Sequence, residues 1–132
     1  FGRQLVMDEQ DHILDEEKRL LIHATQVGVD HVLYEARRFG GTAFPAHVDK
    51  PAYSVISVLG AIPPEAGFHT AEISFTGSPE ALLQTNPELS GMLLLRNSDA
   101  HYLEHMRDPG PTLELPEASV QAVIRFLDEQ NL

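Results

Sequence analysis

Apolar positions recur along the chain with two periods. Four segments are short and mostly apolar, as strands are: Gln4 to Met7, Thr42 to Ala46, Thr70 to Phe75 and Met92 to Leu95. Between them the apolar spacing becomes helical. Val29, Val32, Leu33, Ala36 and Phe39 form one stripe; Arg37 and Arg38 suit the negative end of that helix, and Gly40-Gly41 stops it. Ser54 caps a second helix with apolar positions Val55, Val58 and Leu59, ended by Gly60 and Pro63-Pro64. Ser78-Pro79-Glu80 opens a third, with Leu82 and Leu83 on its buried side and Asn86-Pro87 as its stop. Tyr102 to Met106 reads as a short helical turn and Thr112 to Leu115 as a last strand. A closing helix starts at Pro116 and buries Val120, Val123, Ile124 and Leu127.

The N-terminal stretch differs. Gln4 to Met7 and His12 to Leu14 read as exposed strands joined by a solvated turn, within a run of six acids from Asp8 to Glu17. Leu20-Leu21-Ile22 suits a strand or a short helix equally well. From Val29 onward, strands alternate with helices, which predicts an α/β domain with right-handed crossovers and a parallel sheet. In 132 residues this is a single domain, 1–132. Functional groups in such folds collect where the strands end.

Two of those strand exits carry ligand-type residues. The Met92 to Leu95 strand runs into Arg96-Asn97-Ser98-Asp99-Ala100-His101, and Asp99 and His101 point to one side if the backbone is extended. A carboxylate and an imidazole so placed chelate a divalent metal or exchange protons. A plainer reading is a turn in which Asp99 caps the next helix and His101 is solvated. The other exit is His47-Val48-Asp49-Lys50-Pro51, again an imidazole with a carboxylate two residues on. Two such exits on one face favour a metal or catalytic site. Glu72, mid-strand, is costly to bury unless paired or metal-bound. His101 and His105 have the spacing of a helical metal pair; His12, His23, His31 and His69 read as surface residues.

Charge and composition narrow the function. The net charge of −11 repels a phosphate backbone, so nucleic acid is an unfavourable partner. Without cysteine there are no disulfides, thiolate chemistry or Cys-based zinc sites, which fits a reducing, cytoplasmic compartment. No apolar run approaches the roughly 20 residues of a membrane span. The chain opens on Phe1-Gly2 rather than Met, as a piece of a longer protein would.

Pro45-Ala46-His47-Val48-Asp49-Lys50-Pro51, then Tyr53-Ser54, Ile62-Pro63-Pro64, Glu72-Ile73-Ser74 and Ser98-Asp99-Ala100-His101, taken in order, resemble the C-terminal half of a PHP (polymerase and histidinol phosphatase) domain. The resemblance runs from about Phe1 to Met106. It implies part of a (β/α)7-type barrel whose N-terminal half is absent, because the family's opening His-x-His motif has no counterpart here. By position it implies His47, Asp99 and His101 as metal ligands, Asp99 and His101 being also the catalytic pair. The implied activity is metal-dependent phosphoester hydrolysis by a metal-activated water. The donors suit Mn, Zn or Fe, with Mg also compatible, and the substrate would be a phosphorylated small molecule or nucleotide. Three ligands hold one ion at most, so the isolated chain is expected to be weak or inactive. An open sheet edge would favour self-association or a missing N-terminal fragment as partner. The alternative is a non-catalytic interaction or regulatory module derived from such a domain.

Overall fold

The computed structural model describes residues 2–107 and 112–128. At the N-terminus, β1 (Leu5–Met7) and β2 (Ile13–Glu16) pair antiparallel, with an irregularity between Val6 and Met7. The Asp8 carboxylate shapes the turn by accepting from the amides of Gln10 and His12, both at 2.9 Å. Arg3 pairs with Glu16, and Arg19 with Glu17, whose carboxyl is held down to about 2 by the Arg19 guanidinium. The acidic run is thus a solvated hairpin with local ion pairs. Leu20-Leu21-Ile22 forms neither strand nor helix and lies exposed.

The rest of the chain is built on one parallel pair. β3 (Thr70–Ile73) and β4 (Leu93–Arg96) run side by side in register Thr70 to Leu93 through Ile73 to Arg96. The crossover between them carries α3 (Pro79–Thr85), with Ser78 accepting from the Ala81 amide as its cap. α1 (Val29–Arg38) and α2 (Val55–Leu59) precede the pair, and α4 (Val120–Asp128) follows it. The core lies on the β3 face that bears Ala71 and Ile73, against Leu33 of α1, Val48, Ile62, Ala66, Phe68, Leu82 of α3 and Leu89. α4 is fastened to both sides of this body. Its Asp128 carboxylate accepts from Arg37 Nε and from the Thr42 hydroxyl, while the Leu127 carbonyl accepts from the Thr70 hydroxyl.

The expected (β/α)7-type barrel, whole or partial, is not formed. The described residues make two 2-stranded sheets and four α-helices, and neither sheet closes. Each missing strand has a local cause. The N-terminal strands pair with each other through a tight turn, which satisfies their hydrogen bonds away from the parallel sheet. Thr42 to Ala46 runs beside β3 without becoming a ladder. The Glu72 amide donates to the Pro45 carbonyl and the Val48 amide to the Glu72 carbonyl, a parallel pattern with one residue too many. Pro45 has no N–H to offer, and His47 takes up the extra residue with a left-handed φ of 33°. Thr112 to Leu115 is irregular. The closing helix starts at Val120 rather than Pro116, because the Ser119 hydroxyl accepts from the Ala122 amide and caps it there. In α2 the expected buried positions Val58 and Leu59 are exposed, so the helix rests on Val55 and Ile56.

Candidate functional site

Three chain segments end together at the carboxyl end of the parallel pair: the irregular strand at Val48, β3 at Ile73 and β4 at Arg96. Two contacts from one tight turn tie their exits. The turn is closed by the Lys50 amide donating to the His47 carbonyl at 3.0 Å. From it the Asp49 carboxylate reaches the β3 exit, accepting from the Ser74 amide at 2.7 Å and from the Ser74 hydroxyl. Lys50 reaches the β4 exit, its Nζ 2.5 Å from Asp99 Oδ2. Gly77 leaves room for this arrangement; a Cβ there would run into the Asp49 carboxylate.

Backbone strain concentrates at the same place. Among described non-glycine residues, only Asp11, His47, Tyr53 and Asp99 have positive φ, and two of these are site residues, His47 at 33° and Asp99 at 50°. Such conformations cost of order 1–3 kcal/mol and persist where the surroundings impose them, often at functional sites. For His47 the cause is the extra residue in the strand.

The Lys50 ammonium, as hydrogen-bond donor and as charge, holds the Asp99 carboxyl below its ordinary value, with smaller help from His101 and His47. Both imidazoles therefore lie within electrostatic reach of Asp99. Partial burial would raise the Asp49 carboxyl, but the Ser74 hydroxyl and amide outweigh it and keep the value low. His101 Nδ1 lies 2.9 Å from the Asp99 carbonyl oxygen. A carbonyl only accepts, so Nδ1 is the donor in this contact and Nε2 is left facing away from it. His47 Nδ1 is buried with no hydrogen-bond partner among the described residues, a state that costs free energy unless something else meets it.

The predicted site residues are thus brought to one end of the fold, though not onto a single point. Among the described residues no group of three or more His, Asp and Glu side chains stands ready to hold an ion. The donor types alone are those a borderline divalent cation takes, but the side chains are not gathered into a ligand set, and the Lys50 ammonium lies on the Asp99 carboxylate. Glu72 is half-buried and accepts from Asn97 Nδ2 at 2.7 Å, which ties β3 to the start of the Asn97–His101 segment. His101 and His105 do not form a helical pair. His101 precedes the turn Leu103–His105, and His105 meets the Tyr102 ring edge-on at 5.3 Å between centroids. Beside His101 is an open depression of about 510 Å³, lined by Ala100, His101, Tyr102, Leu103, Glu104 and Met106.

Asp49 and Lys50 were part of a recognisable motif, but their partners are not legible from it. Ser74 and Asp99 lie 25 and 49 positions further on. Among the described residues no helix is long and apolar enough to cross a membrane. Neither a family model, nor a curated protein, nor a solved structure matches the chain.

Proposed function

We propose that this chain is part of a metal-dependent phosphoesterase of the kind its motifs resemble, weak or inactive by itself, with His47, Asp99 and His101 as its share of the ligands. The observation that carries the reading is the state of His47 and Asp99. Both sit in left-handed backbone at strand exits on either side of β3, and the buried His47 Nδ1 has no partner among the described residues. A divalent cation supplies Lewis acidity toward a phosphoryl oxygen and activation of water. The chain's own groups do the rest. Asp99 contributes a carboxylate that stays ionised well below neutral pH. His101, its Nδ1 proton fixed on the Asp99 carbonyl, presents Nε2 as ligand or proton acceptor. The open depression beside His101 suits a phosphorylated small molecule or nucleotide better than a duplex, which the net charge of −11 repels.

Activity of this chain alone is expected to be weak, since three ligands hold one ion and leave positions open. The test is release of p-nitrophenol from its phosphate mono- and diesters with Mn, Zn, Fe or Mg. Slow, metal-dependent release that disappears in Asp99→Asn supports the reading. Release that ignores the substitution, turnover comparable to a complete enzyme, or failure of the chain to bind any of these ions overturns it. A second reading, a non-catalytic interaction module, is favoured by the Lys50–Asp99 pair, which neutralises the carboxylate without any ion. On that reading His47→Ala and Asp99→Asn leave partner binding intact.

A further inference from the structure

The N-terminal hairpin takes no part in the core. No described residue before Leu33 is buried, and the apolar residues that form the core or rest on it begin at Val29. The hairpin carries large apolar side chains all the same. Met7 stands opposite Ile13, and Leu5 lies two residues back on the same strand, so the three share one face. They are 44%, 54% and 36% exposed. The Gln4 carboxamide extends this surface. Its Nε2 donates to the Glu17 and Arg19 carbonyls at 3.0 and 2.7 Å, and its Oε1 accepts from the Leu21 amide at 2.8 Å. The exposed Leu20-Leu21-Ile22 is thereby fixed beside the start of β1.

The other face and the turn are acidic. Asp15 stands opposite Val6. Asp8 meets His12, Glu16 meets Arg3 and Lys18, and Glu17 meets Arg19, whereas Glu9, Asp11 and Asp15 have no cationic partner among the described residues. Each strand also keeps a free edge, because the sheet has two members. A two-stranded sheet is marginal in water by itself, and an open edge is a template for a third strand.

We propose that the hairpin is a docking surface for an extended, basic segment of another protein, which adds to it as a third strand. Such a strand points alternate side chains to the two faces. Apolar side chains at every second position cover Leu5, Met7 and Ile13, and the Lys or Arg side chains between them meet Asp15 and the acids of the turn. Charge selects this occupant. A second copy sets six acids against six, and nucleic acid or an anionic membrane is repelled by the net charge of −11. The docking surface shares no residue with His47, Asp99 and His101, so it stands or falls apart from the metal reading.

The test is an NMR titration of the whole chain, at low salt, with two short synthetic peptides of equal charge, one alternating lysine with isoleucine and one alternating lysine with glycine. The isoleucine peptide is expected to shift amides within residues 4–22 and to bind at least about tenfold more tightly than the glycine peptide. Combining Glu9→Gln, Asp11→Asn and Asp15→Asn should weaken its binding about tenfold, the sum over three exposed ion pairs. Asn is tolerated at the Asp11 φ of 65°. Met7→Ser with Ile13→Ser should weaken binding by a similar factor while leaving the amide spectrum beyond Val29 in place. Equal binding of the two peptides reduces the attraction to bulk charge and overturns the proposal. No binding, shifts centred outside the hairpin, or an unchanged affinity in the charge variant overturn it too. Hairpin shifts that grow with protein concentration in the absence of peptide make a second copy the occupant. Broadening of the same amides by phosphatidylcholine vesicles makes the patch a lipid-facing one. Either result also overturns the proposal.

Discussion

Replacing Asp49 by alanine removes the link between the His47–Lys50 turn and the exit of β3, and its cost follows from the contacts. The carboxylate accepts from the Ser74 amide and the Ser74 hydroxyl. Hydrogen bonds to an ionised group contribute about 1.5–3 kcal/mol each. The side chain is only partly buried, which argues for the lower half of that range, or about 3–4.5 kcal/mol in total. That is a large share of the roughly 5–15 kcal/mol that holds a typical domain together. The assay is urea unfolding followed by circular dichroism, with Ser74→Ala and the double variant closing a cycle. pH gives an independent check. The Asp49 carboxyl lies below the ordinary 3.8 in the folded state. Its contribution is therefore fully present above that value and is lost as pH falls through the lower, folded value. The gap between parent and Asp49→Ala should be constant from pH 7 to pH 5 and close below about pH 4. A gap under about 0.5 kcal/mol at pH 7, well short of even one such bond, or one that survives unchanged at pH 3, would refute the reasoning.

Other outcomes follow from the same contacts. Ile73→Ala, at a core position only 1% exposed, should cost about 2–5 kcal/mol in denaturant unfolding; a loss below about 1 kcal/mol would mean β3 is not at the centre of the core. Asp128→Ala frees Arg37 and Thr42 and should cost about 1–2 kcal/mol while loosening α4, read as faster amide exchange from Val120 to Leu127; unchanged exchange would contradict the docking of that helix. The Lys50–Asp99 pair should be intact above the ordinary carboxylate range and break as pH drops below it, visible by NMR as a shift of the Lys50 ε-methylene; a chemical shift flat down to pH 2 would rule the pair out.

Local signals were legible where a single residue decides the outcome. Ser54 and Ser78 cap the helices expected from them, and the acid-rich hairpin turn lies where the pattern puts it. The strand exits that carry His47 and Asp99 do come together. What failed depended on pairing. Thr42 to Ala46 is apolar enough for a strand, but Pro45 and the extra residue at His47 leave it only two hydrogen bonds to β3. Alternation of strands with helices says nothing about how many strands find a neighbour, so the barrel was an extrapolation that the sheets do not support. Pro116 is a legitimate helix start, but the cap that acts is Ser119, three residues on, whose hydroxyl accepts from the Ala122 amide. Within the site, residue types were readable and partnerships were not. Asp49 reads only as a carboxylate two residues after His47; in the fold it serves as a strap on Ser74. Lys50 carries no role in the sequence pattern, and in the fold it holds Asp99.

The most direct test of the account is the metal content of the purified chain by elemental analysis, set beside the same chain carrying His47→Ala and Asp99→Ala. The account predicts Mn, Zn or Fe bound by the parent, approaching one ion per chain when the ion is in excess, and lost from the double variant. Equal metal content in the two, or none in either at saturating ion, would contradict the claim that these strand exits form a metal site.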